Sequence, residues 1–432
     1  MTARAVARLL LAAALMAPFS TPLARAVSPP PVDENWLPAA ALPSPSAPTV
    51  QREVCAAAAA DPALTGMPAQ VADMDLPRIW QLSRGTGQRV AVIDTGVRRH
   101  PRLSSLVAGG DYVSVGDGTQ DCDAHGTLVA GIIAARASET DQLSGVAPEA
   151  TVISIRQSST RFSPVGDRSG RGLGDVQTMA KAVRTAADMG ATVINISSVA
   201  CVASADTLDD RALGAAIAYA VDVKNAVVVA AAGNSGGASQ CPPQPAAVSP
   251  AWYDDYVLTV GSVNPQGVPS SFTLAGPWVD VAATGEGVTS LSPINDGIVN
   301  SVAGQPLSGT SYAAPVVSGL AALIRARFPA LTARGVMQRI ETTAHHPPAG
   351  WDPAVGNGVI DALAAISTGT VGQIGTPGSR PVDLPAPTTR QPSDKRPRDT
   401  AFRGAASCLV VLLVAVASVT LRRLRRQRVP AD

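Results

Sequence analysis

Arg89-Val90-Ala91-Val92-Ile93-Asp94-Thr95-Gly96 is an apolar run that ends on an acid and turns at once on a glycine. A strand apolar on both of its faces belongs inside a parallel sheet covered by helices. The pattern recurs at Thr151-Val152-Ile153-Ser154-Ile155, at Ala191-Thr192-Val193-Ile194-Asn195-Ile196-Ser197 and at Ala226-Val227-Val228-Val229-Ala230-Ala231-Ala232-Gly233-Asn234. Helical stretches lie between: a small-residue helix opened by His125, an amphipathic one over 176–189 and a further one over 208–224. This alternation from 89 to 230 predicts an α/β fold, a doubly wound, mostly parallel sheet with helices on both faces. Open sheets of this kind place their ligands beyond the C-terminal strand ends, where Asp94 and Asn234 both stand.

Composition agrees with that core. The 432 residues are 46% apolar but only 3% aromatic, so Val, Ile, Leu and Ala must fill the interior. A formal net charge of +1 and the lack of any nucleic-acid-binding motif exclude DNA and RNA as partner classes.

The two ends set the topology. Arg4 and Arg8, the apolar run from Leu9 to Phe19 and Ala24-Arg25-Ala26 form a secretory signal over 1–26. An extension follows over 27–75, before the main domain over 76–366; its Pro-rich start, Val27 to about Val50, is expected to pack loosely along the domain surface, with the globular part beginning around Gln51. A Pro-rich linker over 367–404 cannot bury a core of its own. Residues 405–421 carry no charge, and as a helix they reach ~25 Å, enough for one transmembrane span. Arg422, Arg423, Arg425, Arg426 and Arg428 mark the tail over 422–432 as cytoplasmic. The globular domain is therefore expected on the extracytoplasmic (periplasmic) side of the cell membrane, held by a single C-terminal pass.

Chemistry enters at Gly309-Thr310-Ser311-Tyr312-Ala313-Ala314-Pro315, followed by Val317, Leu320, Leu323 and Ile324 at helical spacing. Ser311 either caps that helix or stands as a hydroxyl in its positive field. His125-Gly126-Thr127 offers a base: among the four histidines only His125 has a glycine neighbour and a helix directly after it. His345 and His346 precede Pro347-Pro348 with no acidic or sulfur partner at helical spacing, so no metal site is expected there. Asn234 offers a side-chain N–H suited to a developing oxyanion. Asp94-Thr95-Gly96 also suits hydrolases with two carboxylates sharing a proton, but the chain has no second copy, and that reading leaves Ser311 and His125 without a task.

Together the four motifs, in the order Asp, His, Asn, Ser, closely resemble the subtilisin-like serine proteases over roughly 76–365. The resemblance implies a subtilisin-like fold, with Ser311 as nucleophile, His125 as its general base and Asp94 orienting the imidazole. It makes Asn234 and the Ser311 backbone N–H the oxyanion site, and lays a protein or peptide substrate along Ser197, Ser198 and Val199 and the stretch near 170–174. Two departures stand out: Tyr312 where many subtilases carry methionine, and Val199 in place of a pocket-lining glycine. Asp117, Asp121 and Asp123 are the nearest candidates for the calcium common among subtilases, but read as a solvated acidic loop; no metal or cofactor is expected.

The signal, short extension, cysteines, proline linker and single span are similar to those of the mycosins, membrane-anchored subtilases linked to type VII secretion. That similarity implies the type VII secretion membrane complex as partner, with limited proteolysis of secreted proteins or, alternatively, structural support of the complex as the main task. Cys55, Cys122, Cys201 and Cys241 lie in the exported part and allow three pairings. Cys201 and Cys241 both follow C-terminal strand ends of one sheet and are expected to pair, which leaves Cys55 with Cys122. Cys408 falls in the span.

Overall fold

The computed structural model describes residues 28–367 except 59, 60, 62, 237–240, 243 and 244. The signal 1–26, the linker beyond 367, the span 405–421 and the tail 422–432 lie outside the described residues. Among the described residues no helix is long and apolar enough to cross a membrane.

Apart from four two-residue strands between Ser290 and Pro306, the strands among the described residues are, in chain order, β1 (Thr49–Gln51), β2 (Arg89–Asp94), β3 (Leu106–Asp111), β4 (Thr151–Arg156), β5 (Phe162–Pro164), β6 (Val193–Ile196), β7 (Ala200–Val202), β8 (Val227–Ala231), β9 (Ala247–Ser249), β10 (Val257–Val263) and β11 (Val281–Thr284). The helices are α1 (Leu76–Leu82), α2 (His125–Ala134), α3 (Val176–Asp188), α4 (Arg211–Ala218), α5 (Thr310–Arg327), α6 (Ala333–Thr343) and α7 (Ala362–Ser367). Seven strands form one sheet in the order β11-β10-β8-β6-β2-β4-β3, each neighbouring pair parallel. β6, β8 and β10 are buried along their whole length, which is why they read as unbroken apolar runs. Helices α2 and α5 pack on each other and on the sheet, whereas α3 and α4 pair separately, with α3 against β2, β4 and β6. From β2 the chain runs to β3 and β4 on one side and later to β6 on the other, so β2 is the switch point of the winding.

The helix expected over 208–224 is shorter. Its start is fixed at Asp210, whose carboxylate accepts hydrogen bonds from Ser249, Trp252 and Tyr253, and beyond Ala218 it widens into a π turn over Tyr219–Val223.

The extension is held on the domain at several points. β1 pairs antiparallel with β5, and Arg211 stacks on Trp36 at 3.9 Å. The Ala57 and Ala58 carbonyls accept hydrogen bonds from Ala303 N–H and the Ser292 hydroxyl. With few large apolar side chains to bury, the extension takes its order from strand pairing, backbone hydrogen bonds and a cross-link. Cys55 and Cys122 are joined across 67 positions, and Cys201 and Cys241 across 40. Replacing Cys55 and Cys122 together by serine is expected to cost about 4 kcal/mol on the loop-entropy account. Denaturant unfolding checks this: a cost under about 1 kcal/mol would mean that the other contacts already hold the extension.

Candidate active site

Asp94 ends β2 at the switch point, and its side chain is 3% exposed. Its Oδ1 accepts the Thr95 N–H at 2.7 Å and the His125 Nδ1–H at 2.7 Å. With Nδ1 donating, the His125 Nε2 is left to accept from the Ser311 hydroxyl at 3.0 Å. Asp94, His125 and Ser311 thus form one continuous hydrogen-bonded chain, with the imidazole still 27% exposed to an incoming substrate.

Backbone fit explains the motifs that carry these side chains. A β-carbon on Gly126 would lie 2.0 Å from the Gly96 carbonyl oxygen, and one on Gly96 would lie 1.9 Å from that of Gln120. Only glycine at both positions lets α2 sit close enough to the end of β2 for the histidine to reach the acid. Ser311 stands in the first turn of α5, whose N-cap is Gly309. That helix is latched to the sheet by a buried polar chain: Ser318 donates to Asn195, whose amide donates to the Ser197 hydroxyl.

Asn234 follows β8, and its Oδ1 accepts from both the amide and the hydroxyl of Thr310, at 3.0 and 2.9 Å. This fixes which way the amide points: Nδ2 is the end turned toward the space beside Gly309. A β-carbon built on Gly309 would sit 3.1 Å from Asn234 Nδ2, 3.2 Å from Ser311 Oγ and 3.8 Å from Ser311 N. That small space is flanked at once by the hydroxyl and by an amide donor, as an oxyanion site requires. Thr310 was not singled out by sequence reasoning, although it sits directly before the serine.

The surrounding charges ease protonation of the imidazole. Burial opposes charging of His125, but the charge and hydrogen bond of Asp94, then the charges of Asp121 and Asp123, outweigh it and raise its pKa. Tyr312 packs against the ring at 5.2 Å between centroids, and its phenol is pushed up by burial and by Asp94 and Asp121. The acidic loop is not the solvated loop expected. Asp121 accepts from the Thr95 hydroxyl and from both the amide and hydroxyl of Thr127. Asp123 accepts from Ser159 and from the Thr160 amide and hydroxyl. Only Asp117 matches the expectation, exposed and bonded to Thr119. Among the described residues no group of three or more His, Cys, Asp and Glu side chains could hold a metal ion.

Ser198 and Val199 line a cavity of about 90 Å³ together with Gly174, Val176 and Met179. Ser198 and Val199 thus share one depression with Gly174, at the glycine-bearing end of the 156–175 loop. Ser197 itself is buried against Asn195. Val199 also presses against Gly233, where an added β-carbon would lie 3.1 Å from its Cγ2.

Comparison with known proteins agrees with this geometry. The profile of the Subtilase family, Peptidase_S8, matches residues 85–358. Mycosin-4 of Mycobacterium tuberculosis (strain ATCC 25618 / H37Rv) is 65% identical over 452 residues, covering 99% of both chains. The chain belongs to the subtilases and, among them, to the mycosins. The crystal structure of MycP1 from Mycobacterium smegmatis matches this mycosin fold with a TM-score of 0.73 at 42% identity, over 79% of this chain and 96% of that one. A chain of the periplasmic assembly from the ESX-5 inner membrane complex matches with a TM-score of 0.75 at 41% identity, over 85% and 100% of the two chains. This mycosin is a subtilisin-like serine endopeptidase.

In this subtilase Gly126→Ala is expected to separate α2 from β2 and to cost at least about 2 kcal/mol, as overpacked sites do. Thermal unfolding and reaction with a fluorophosphonate would both report it; native labelling in that variant would contradict the close-approach argument.

Proposed function

We propose that Ser311 is the nucleophile, His125 its general base and later the acid that protonates the leaving amine, and Asp94 the group that orients and stabilises the imidazolium. The single observation that supports this is the unbroken chain from Asp94 through His125 to Ser311, with Asn234 Nδ2 beside the hydroxyl. A hydroxyl becomes a useful nucleophile only when a base takes its proton as it attacks. The Ser311 Oγ–carbonyl bond forms as its proton passes to Nε2, and the negative charge moves onto the carbonyl oxygen. Asn234 Nδ2 and the Ser311 backbone N–H receive that charge. Collapse of the tetrahedral species expels the amine, protonated by His125, and water then releases the acyl group by the same steps in reverse. Ser197, Ser198 and Val199 hold the substrate strand.

The protease domain over 76–366 and its extension over 27–75 work outside the cytoplasm, reached through the signal 1–26. The linker 367–404, span 405–421 and tail 422–432 anchor them to the cell membrane. The setting we propose is the type VII secretion membrane complex, where a tethered protease meets a restricted set of secreted proteins. Similarity to a chain of the ESX-5 inner membrane assembly supports that setting. It also supports a second reading, in which the folded domain mainly steadies the complex. Ser311→Ala separates the two: rescue of secretion in a deletion strain favours support, and failure at normal abundance favours proteolysis.

Ser311→Ala is expected to abolish peptide hydrolysis with the unfolding temperature unchanged, and Asn234→Ala to lower turnover by ~10²–10³. A base with a raised pKa is lost to protonation earlier as pH falls. The acid limb of turnover should therefore have its midpoint above the ordinary imidazole value of about 6.5. Full activity of the Ser311 variant, or an acid midpoint below that value, would refute the assignment.

A further inference from the structure

Helix α2 has an unusual start. Its cap residue, Ala124, lies in the left-handed region at φ 74° and has no side-chain oxygen to accept from the first turn. The amides of that turn, which have no acceptor within the helix, are bound from outside it. Thr95 Oγ1 accepts the Gly126 N–H at 2.9 Å, and Asp121 Oδ2 accepts the Thr127 N–H at 2.8 Å. These two caps are joined, because the Thr95 hydroxyl donates to Asp121 Oδ1 at 2.8 Å. Thr95 adjoins the triad acid, and Gly126 and Thr127 adjoin the triad base. The Asp121 carboxylate is therefore the joint between the strand end that carries Asp94 and the helix that carries His125.

We propose that Asp121 is a positioning residue for the Asp94–His125 pair, and that it must be ionised for the pair to work at full strength. This rests on the reading of His125 as the base that activates Ser311. Both oxygens of Asp121 face donors: the Thr95 hydroxyl on one, the amide and hydroxyl of Thr127 on the other. A backbone N–H cannot turn into an acceptor. The Thr95 oxygen already accepts from Gly126, so its own proton would need a new partner if Asp121 became the donor. The Thr127 oxygen likewise already accepts the Arg98 N–H. A proton on Asp121 thus takes the present partner from at least one threonine hydroxyl of the joint. It also removes a negative charge that favours the imidazolium formed in the transition state. The titratable groups facing this carboxylate are Asp94 and His125, with the Tyr312 phenol over the pair; Asp123 faces the imidazole from the other side of Cys122. Burial raises the Asp121 carboxyl to about 6, against the hydrogen bonds of Thr127 and Thr95, so it takes up a proton within the pH range over which the acid limb is read. The acid loss of activity is then a two-proton event.

The test is the rate of fluorophosphonate reaction with the full chain from about pH 5 to about pH 9, with the modified residue mapped by mass spectrometry. Labelling of the native chain at Ser311 should fall on the acid side more steeply than a single ionisation allows. Asp121→Asn should restore a single-proton slope, move the midpoint down by about half a unit and slow the reaction about tenfold at its plateau. Thr127→Ser, which keeps both donors, should follow the native curve. A slower Asp121→Asn with the native slope and midpoint would leave only a structural role and overturn the proposal. Should that variant fail to fold, the native slope decides, and a single-proton limb overturns it. Labelling at a residue other than Ser311 would instead remove the underlying assignment of the base and nucleophile, and the proposal with it.

Discussion

The catalytic face depends on a 2.7 Å hydrogen bond between an imidazole and a carboxylate 31 positions apart in the chain. A misplacement of about 1 Å at such a contact is costly, so the strand and the helix that carry the two groups must be held to tenths of an ångström. Core packing by Leu128, Val129, Ile132 and Ile133 seats α2 on the domain, but it does not by itself set how close the start of the helix comes to the end of β2. What sets it is backbone against backbone: Gly126 on the Gly96 carbonyl and Gly96 on the Gln120 carbonyl, each leaving no room for a methyl group. Glycine is required here for space, and the left-handed φ of Gly96 is a second reason at that position.

The rest of the molecule divides the remaining work. The parallel sheet places strand ends in a row, so that Asp94, Ser197 and Asn234 face the same side without any one loop having to be long. Helix α5 packs on that sheet, buried from Tyr312 to Ile324, and brings Ser311 in from the far end of the chain, with the Ser318–Asn195 bond as its register mark. The extension runs from β5 past Cys122 to the segment around 292–303, and so borders the loop that carries His125. Its cross-link lands between Asp121, which holds the helix start, and Asp123, which holds Ser159 and Thr160. One short segment therefore ties together the base, the substrate-side loop and the extension.

Some of this could be read from the sequence and some could not, for physical reasons. Strands buried on both faces announce themselves as apolar runs, and each of the four motifs is local, so the sheet and the meeting of Asp94, His125 and Ser311 were legible. The cysteine pairing was legible because both Cys201 and Cys241 follow strand ends of the same sheet. The acidic loop was misjudged because Asp117, Asp121 and Asp123 look alike in one dimension; only the fold shows that Thr127 and Thr95 reach the second and Ser159 and Thr160 the third. The available signal was Ala124, a residue that cannot cap the helix it precedes, with an acid three positions before it. Thr310 was hidden for the same reason, since its hydroxyl orients an asparagine 76 positions away. The widened turn after α4 has no periodic signature of its own, because the apolar spacing runs straight through it.

The site also keeps one interaction unmade. Asp94 Oδ2 is buried with no hydrogen-bond partner among the described residues, while Oδ1 receives both the Thr95 amide and the imidazole. An unpaired buried acceptor of this kind costs about 1–3 kcal/mol. A donor at Oδ2 would recover that cost but would also draw charge away from the oxygen that faces His125. The carboxylate would then stabilise an imidazolium less well, and the proton leaving Ser311 would meet a weaker base. The deficit sits next to a large apolar core whose burial can offset it, and next to two further carboxylates that raise the same imidazole. With both of these hydrogen bonds on Oδ1, Asp94 keeps its charge against the ring nitrogen it faces, and Asp121 and Asp123 add to the same field at the imidazole.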